Sequence, residues 1–389
     1  MSPSAITNAT EPDLRFPAFN DAWEIGTLSE KAEKIASGKT KPEKTGEFPV
    51  YGSIEEIGRC SAFTHDEGTL LIARVGANAG TINRASGKYS VTDNTLIFSP
   101  KNGENLTFIE YFLKSFNLKR LVFGTGQPLI TGGLLKSIRT IFPSLPEQRK
   151  VADFLTAVDD RIGQLIQKKS LLEEYKKGVR QQLFTQAIRF KDDQGNDFPD
   201  WEEKKLGDVT TWASGGTPSK QNPSFWAGDI PWMSAASMHE RYYSHSPLMI
   251  TQSGVESGSK MAKKGTLLLL VRGSMLWNRI PVGITTRDVA FNQDVKALVP
   301  ESSVLAEFLL QWFIASENML LHKVVGTGIG AGKLATDEMK KLPILLPVPE
   351  EQAKIADFLS AIDCKIEAVA NQITETQSYK RGLLQQMFV

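Results

Sequence analysis

The sequence predicts an α+β fold built as a tandem duplication. Two mixed α/β domains are joined and spaced by two long antiparallel coiled-coil helices with pseudo-two-fold symmetry. Three observations lead there. Residues 148–162, QRKVADFLTAVDDRI, recur as 352–366, QAKIADFLSAIDCKI; Tyr175–Phe184 recurs as Tyr379–Phe388; both lie at an offset of 204. Within each repeat, apolar residues recur at alternating spacings of three and four, the pattern of a coiled-coil seam. Ahead of each repeat lie short β-prone runs punctuated by Gly and Asn.

Residues 1–14 lack a basic-then-apolar leader and read as a disordered tail. The first domain spans 15–145, with strands at Phe48–Gly52, Thr69–Arg74 and Leu96–Phe98, turns at Gly76–Gly80 and Ser86-Gly87, and a helix near Phe108–Leu121. The first spacer helix covers 146–187. Its start, Pro146-Glu147, places proline in the first turn and an acid at the positive end of the helix dipole. Its seam runs through Val151, Leu155, Val158, Ile162 and Leu165 to Leu183, broken at Lys169 and Lys176. A polar linker, 188–197, follows. The second domain, 198–348, contains the apolar run Gly265–Val271, too short to span a bilayer and read as a buried strand, and a helix near Leu305–Val325. The second spacer helix, 349–389, opens on Pro349-Glu350-Glu351. Its seam passes through Ile355, Leu359, Ile362, Ile366 and Val369 to Met387, broken at Thr376 and Lys380.

Matches in the front parts drift in offset: 182 at Phe16-Pro17, 197 at Gly68–Leu71 and 202 at Gly124–Gly126. The front parts therefore tolerate insertions, and most of the extra length of the second accumulates before Gly265. A helix of ~40 residues is about 60 Å long, so the first would deliver the chain to a distant second domain. The second would bury its stripe by running back along the first. The alternative is that each helix packs on its own domain. Gly178 and Gly382 occupy matching mid-helix positions, where glycine costs about 1 kcal/mol against alanine; close approach of another helix would explain them.

The 389 residues carry 45 Lys+Arg, 44 Asp+Glu and a hydrophobic fraction of 41%. Whole-chain disorder and a histone-like polycation are excluded, whereas a local basic face is not. Two distant cysteines, Cys60 and Cys364, argue for a reducing, cytoplasmic protein. With no HxxxH and no CxxC, a structural metal site is not expected. Gly326–Lys333, GTGIGAGK, fails the phosphate-loop spacing at Thr327 and Leu334 and reads as a turned loop. Asn222-Pro223-Ser224-Phe225 resembles the tetrad of adenine methyltransferases but lacks the upstream glycine-rich cofactor loop. No catalytic set is assigned.

Base readout needs Arg, Lys, Asn and Gln on a firm scaffold beside phosphate-contacting groups. The candidates in the first domain are Lys39, Thr40, Arg59, Arg74, Asn78, Asn83, Arg84 and Asn94. Those in the second are Ser219, Lys220, Lys264, Arg272, Asn278, Arg279, Asn292 and Gln293. Tyr242, Tyr243 and Trp277 could pack on sugar or base.

As a set, several motifs resemble the specificity (S) subunits of type I restriction–modification systems. They are the Pro-Glu-Gln-x-x-Val/Ile-Ala-x-Phe-Leu helix starts, Phe198–Asp208, Gly215–Pro218, Gly228–Trp232, and Ile72–Gly80 with Asp93–Thr95. The resemblance implies two target-recognition domains, each reading half of a bipartite double-stranded DNA site, with the helices as a ruler for the spacer. It implies docking of two methyltransferase (M) subunits and, through them, translocase–nuclease (R) subunits. S-adenosylmethionine, ATP and Mg would belong to those partners, leaving this chain without cofactor, membrane contact or chemistry of its own. Two other classes stay open at this point: a self-sufficient methyltransferase and a coiled-coil scaffold without a DNA role.

Overall fold

A computed structural model of the chain describes residues 11–66, 68–124, 126–328 and 330–388. The expected disordered tail over 1–14 falls mostly outside these residues. Leu14 lies within them and donates its N–H to the Gln386 carbonyl at 2.9 Å. The chain divides into two compact units. The first is Met1–Lys168 with Val369–Val389, and the second is Lys169–Ala368. Each unit thus holds one front domain, the first half of one long helix and the last half of the other.

In the first unit, Leu70–Ala73 is buried along its whole length because it lies inside an antiparallel sheet. Thr95–Pro100 flanks it on one side, with Ala32–Ser37 beyond, and Ile82–Asn83 flanks it on the other. A second sheet pairs Phe48–Gly52 antiparallel with Glu55–Cys60 and parallel with Ser90–Val91. The helix Leu106–Phe116 is capped by the Asn105 side chain, which accepts from the Phe108 N–H at 2.8 Å. It ends at Asn117, whose left-handed φ of 55° suits a short polar residue. It buries Phe108, Ile109, Tyr111, Phe112 and Leu113, each large apolar side chain contributing roughly 1.5–3 kcal/mol. Glu24–Thr27 pairs with Arg139–Phe142, the strand that leads into the first long helix.

The second unit repeats this frame with additions. Leu267–Leu270 is the buried strand, between Val295–Pro300 and Val282–Thr285, with Thr210–Ser214 and Tyr242–Tyr243 on the outside. Glu202–Lys205 pairs with Pro343–Leu346 ahead of the second long helix. The second sheet recurs as Trp226–Met233, antiparallel to Met249–Ile250 and parallel to Val289–Phe291; the additions, both before Gly265, are the helix Gln252–Gly258 and the strand Lys260–Ala262, antiparallel to Val289–Phe291. The expected single helix over Leu305–Val325 is broken at Ser316 into Ala306–Ala315 and Glu317–Leu321. The Glu317 carboxylate is used at that break, accepting from the Ile280 N–H at 2.8 Å.

The long helices are Leu145–Phe184, 40 residues, and Pro349–Met387, 39 residues. Ten of the twelve seam residues named above are buried; Ile162 and Ile366 are half-buried. In the first unit Val151, Leu155 and Val158 share a core with Leu383, Met387 and Phe388 as well as with the domain's own Phe108 and Phe112. In the second, Ile355 and Leu359 share one with Leu183 and Phe308. Within each unit the start of one helix therefore packs both on its own domain and on the end of the other helix.

Two seam breaks become ion pairs. In the second unit Lys176 pairs with Asp363; in the first, Lys380 pairs with Asp159 at 2.5 Å. The residue numbers of either pair add to 539, so both units keep the same antiparallel register. Lys169 is satisfied on its own helix by Glu173, and Thr376 by the Gln372 carbonyl. The close helix approach expected at Gly178 and Gly382 is not found: a Cβ at either would meet nothing within 4 Å.

Candidate nucleic-acid interface

The helix starts anchor each domain by a repeated set of buried polar bonds. Glu147 and Glu351 are only 1% and 0% exposed as side chains. They do more than face the helix dipole, since each accepts two bonds from one guanidinium. Arg15 reaches Glu147 at 2.7 and 2.8 Å, and Arg189 reaches Glu351 at 3.1 and 2.7 Å. Such forked pairs are strong and directional, and they hold the Arg15 and Arg189 pKa values above the ordinary guanidinium value. The next residue, Gln148 or Gln352, accepts from the N–H of Asn105 or Leu305, at the start of the domain helix. It also donates to the carbonyl of Pro143 or Pro347. The Pro-Glu-Gln pattern is thus a clamp between long helix and domain. Arg15 and Arg189 are functional anchors that the sequence reading passed over; their shared Arg-Phe dipeptide, at an offset of 174, was the available signal.

The presumed linker belongs to the same anchor. Lys191 and Asp197 close a turn by a bridge and an ion pair at 3.2 Å, and Asp192 accepts the N–H groups of Gln194 and Asn196 inside it. Ile188 hydrogen-bonds back to Gln182 as Leu14 does to Gln386, so both domains are entered from the end of a long helix.

Against this frame the candidate side chains fall into distinct groups. Arg74, half-buried at the end of the Leu70–Ala73 strand, donates to the Asp93 carbonyl at 3.1 Å, and Asn94 accepts the Arg74 N–H. Asn78, Lys39 and Asn94 are exposed around that strand end, with Thr40 held to the Val91 carbonyl through its N–H. Asn83 and Arg84 are engaged elsewhere. Asn83 donates to the Ile54 carbonyl, and Arg84 pairs with Glu110 and donates to Thr107. Arg59 pairs with Glu56 and donates to the Glu47 carbonyl.

In the second unit, Arg272, Asn278, Lys220, Ser219 and Lys264 are exposed. Gln293 is exposed too and accepts from the Thr217 hydroxyl at 2.7 Å. Arg279 and Asn292 are corrections to the surface expectation. Arg279 is turned inward onto the Met238 and His239 carbonyls. Asn292 is 7% exposed and its amide oxygen accepts the Asp294 and Val295 N–H groups. Tyr243 is buried, and burial pushes its phenol strongly up. Tyr242 stays exposed, and partial burial of its hydroxyl pushes its phenol up. Trp277 stays exposed and donates to the Gly330 carbonyl at 3.0 Å. Asn222 of the methyltransferase-like tetrad uses its side chain locally, accepting the Ser224 N–H.

Both strand ends need glycine in the segment beside them. A Cβ at Gly38 or Gly215 would collide with the Val91 or Phe291 carbonyl, so only glycine admits that close backbone approach. The chemistry on offer is hydrogen bonding and charge. Among the described residues no cluster of His, Cys, Asp and Glu could hold a metal, and no helix is long and apolar enough to cross a membrane.

The family model for the type I restriction modification DNA specificity domain matches residues 20–174 and again 199–376. A specificity subunit of the type I restriction enzyme EcoR124I/EcoR124II from Escherichia coli is 32% identical over 179 residues, 45% of this chain and 43% of that protein. The MjaIX specificity subunit of Methanocaldococcus jannaschii is likewise matched over 43% of its length, so the chain spans under half of these two relatives. The MjaVIII specificity subunit of the same organism is 24% identical, with 95% of this chain and 92% of that protein covered. Among solved structures, the S subunit from M. genitalium superposes with a TM-score of 0.59 at 16% identity, covering 97% of this chain and 99% of that one. A chain from a type I complex-assembly study gives a TM-score of 0.61, also at 16% identity, covering 94% and 97%. The duplicated match and the duplicated frame coincide: the chain belongs to the type I restriction–modification DNA specificity family.

Proposed function

We propose that this chain is the DNA-sequence-recognition subunit of a type I restriction–modification complex, with each front domain reading one half of a bipartite double-stranded site. The carrying observation is that the two units build the same strand-end frame and furnish it with different side chains. Arg74, Asn78 and Asn94 stand at one; Asn278 and Gln293 stand at the other. A constant scaffold with variable polar groups is what reading two unlike half-sites requires. The antiparallel helix pair acts as the ruler for the spacer between half-sites and as the dock for two methyltransferase subunits, through which R subunits join. Methyl transfer, DNA cleavage and their S-adenosylmethionine, ATP and Mg belong to the partners. The complex works in the cytoplasm, where Cys60 and Cys364 stay free thiols.

Mapping methylated adenines in DNA exposed to the purified complex with M tests this. One bipartite motif is expected, and methylation without sequence preference would overturn the reading. Inserting four residues into one long helix, ~6 Å of rise, should lengthen the spacer and keep both half-sites. An altered half-site with the spacer unchanged would remove the ruler.

A further inference from the structure

The glycine-rich run Gly326–Lys333 fails the spacing of a phosphate loop. It forms a β-hairpin of Val325–Thr327 and Ala331–Lys333, joined to Arg272-Gly273 in a three-stranded sheet. Four observations set this hairpin apart. Arg272 and Lys333 are direct cross-strand partners, although like charges placed opposite each other are destabilising. Both are exposed, and among the described residues neither has an acidic partner. Trp277 stands exposed against Gly326, its indole N–H held by the Gly330 carbonyl. Finally, Gly328 is exposed, has no left-handed φ, and a Cβ there would meet nothing within 4 Å. Its counterpart Gly126, in the hairpin closed by Phe123 and Leu129, is equally unconstrained. Among the described residues no neighbour and no backbone angle requires glycine at 126 or 328, although glycine there costs conformational entropy.

The geometry points to the strands Val325–Thr327 and Ala331–Lys333, with Arg272-Gly273, as a DNA-gripping finger of the second unit: Arg272 and Lys333 neutralise backbone phosphates, Trp277 packs on the adjoining sugar, and Gly328, with no Cβ, lets the duplex come close. A repulsive cation pair is relieved when an anion sits between its members, and a glycine, lacking a Cβ, allows close approach of backbone to a ligand. This deepens the DNA-recognition reading and rests on it.

The test is binding of labelled duplex, with and without the methylated site, to the purified complex of full chain and M, titrated across salt. R272Q and K333Q are exposed substitutions that leave the core intact. Each should weaken site and non-site DNA alike, by about 10-fold near 0.1 M salt, and reduce the salt slope by about 1. G328A and then G328V should weaken binding in graded fashion with the slope unchanged. If the unmodified complex binds DNA and these variants match it, the finger is overturned and the recognition reading stands. If the unmodified complex shows no site preference, the recognition reading itself falls. Loss of M from the variants on gel filtration would place the hairpin at a protein interface and also overturn the proposal.

Discussion

Around Glu147 and around Glu351 the two units are nearly superimposable in their chemistry; at the two strand ends they part. Each anchor joins an arginine fork, a glutamine clamp and an aromatic cluster. Phe108 meets Phe388 at 5.3 Å, and Phe308 meets Phe184 at 5.4 Å. Phe16 meets Phe154, and Phe190 meets Phe358, both at 5.6 Å. At the strand ends the hydrogen bonds reveal a shift. Arg74 donates its N–H to Asn94 and accepts from Ile130; the residue with those two bonds in the second unit is Val271, donating to Asp294 and accepting from Leu334. Arg272 therefore corresponds to Val75. In an extended segment one residue moves a side chain to the opposite face, so the two arginine side chains leave their strand ends on opposite faces. A frame held by burial stays constant, while groups in water are free to diverge.

The largest effect should come from breaking the anchors. E147A and E351A each strand a partly buried arginine, at a cost of about 3–5 kcal/mol. E351A should cost more, because Trp201 donates its indole N–H to Glu351 at 3.0 Å, whereas the buried Trp23 indole nitrogen has no hydrogen-bond partner among the described residues. Urea unfolding of the single variants checks the order, and equal losses would show that the tryptophan bond is dispensable. Next come Q148L and Q352L, which leave a helix-start N–H and a proline carbonyl unpaired. A loss of about 1–3 kcal/mol each is expected by the same measurement, with the two sites matching within error if the clamps are equivalent.

The smallest effect sharpens a difference between the ion pairs. Asp159 accepts from Tyr111 at 2.8 Å as well as from Lys380, whereas the position corresponding to Tyr111 in the second unit is Gln311, whose buried oxygen has no hydrogen-bond partner among the described residues. Burial first, and the bond to Asp159 after it, push the Tyr111 phenol up to about 12. The folded state therefore holds this proton more tightly than the unfolded chain. The associated stability is complete below pH 10 and is lost as pH rises toward about 12. D159N should lower the Tyr111 midpoint, read as the Y111F-sensitive part of an absorbance titration, and soften the alkaline loss of stability. An unmoved midpoint would mean that burial alone sets it.

The duplication, the helices and their seams could be read directly, because a strict offset of 204 and a 3.5-residue period survive in the order of residues. So could the buried strand Leu267–Leu270, whose leucines have one environment to go to. Less legible were Lys176 and Lys380, which look like defects until Asp363 and Asp159 stand opposite them. The failed phosphate loop read as a turn because hairpin pairing depends on Arg272, some sixty residues away. The surface candidates separated only in three dimensions. Arg84, Arg59, Arg279 and Asn292 spend their polar groups on local partners, while Arg272 and Asn278 face solvent.

By itself the sequence determined that there are two copies, where the long helices lie and which faces they bury, since periodicity and repetition are properties of the chain in order. Tertiary structure alone decided which charged side chains are free. A guanidinium is committed or available according to the carbonyls and carboxylates that folding brings within hydrogen-bond reach, and those come from residues distant in sequence.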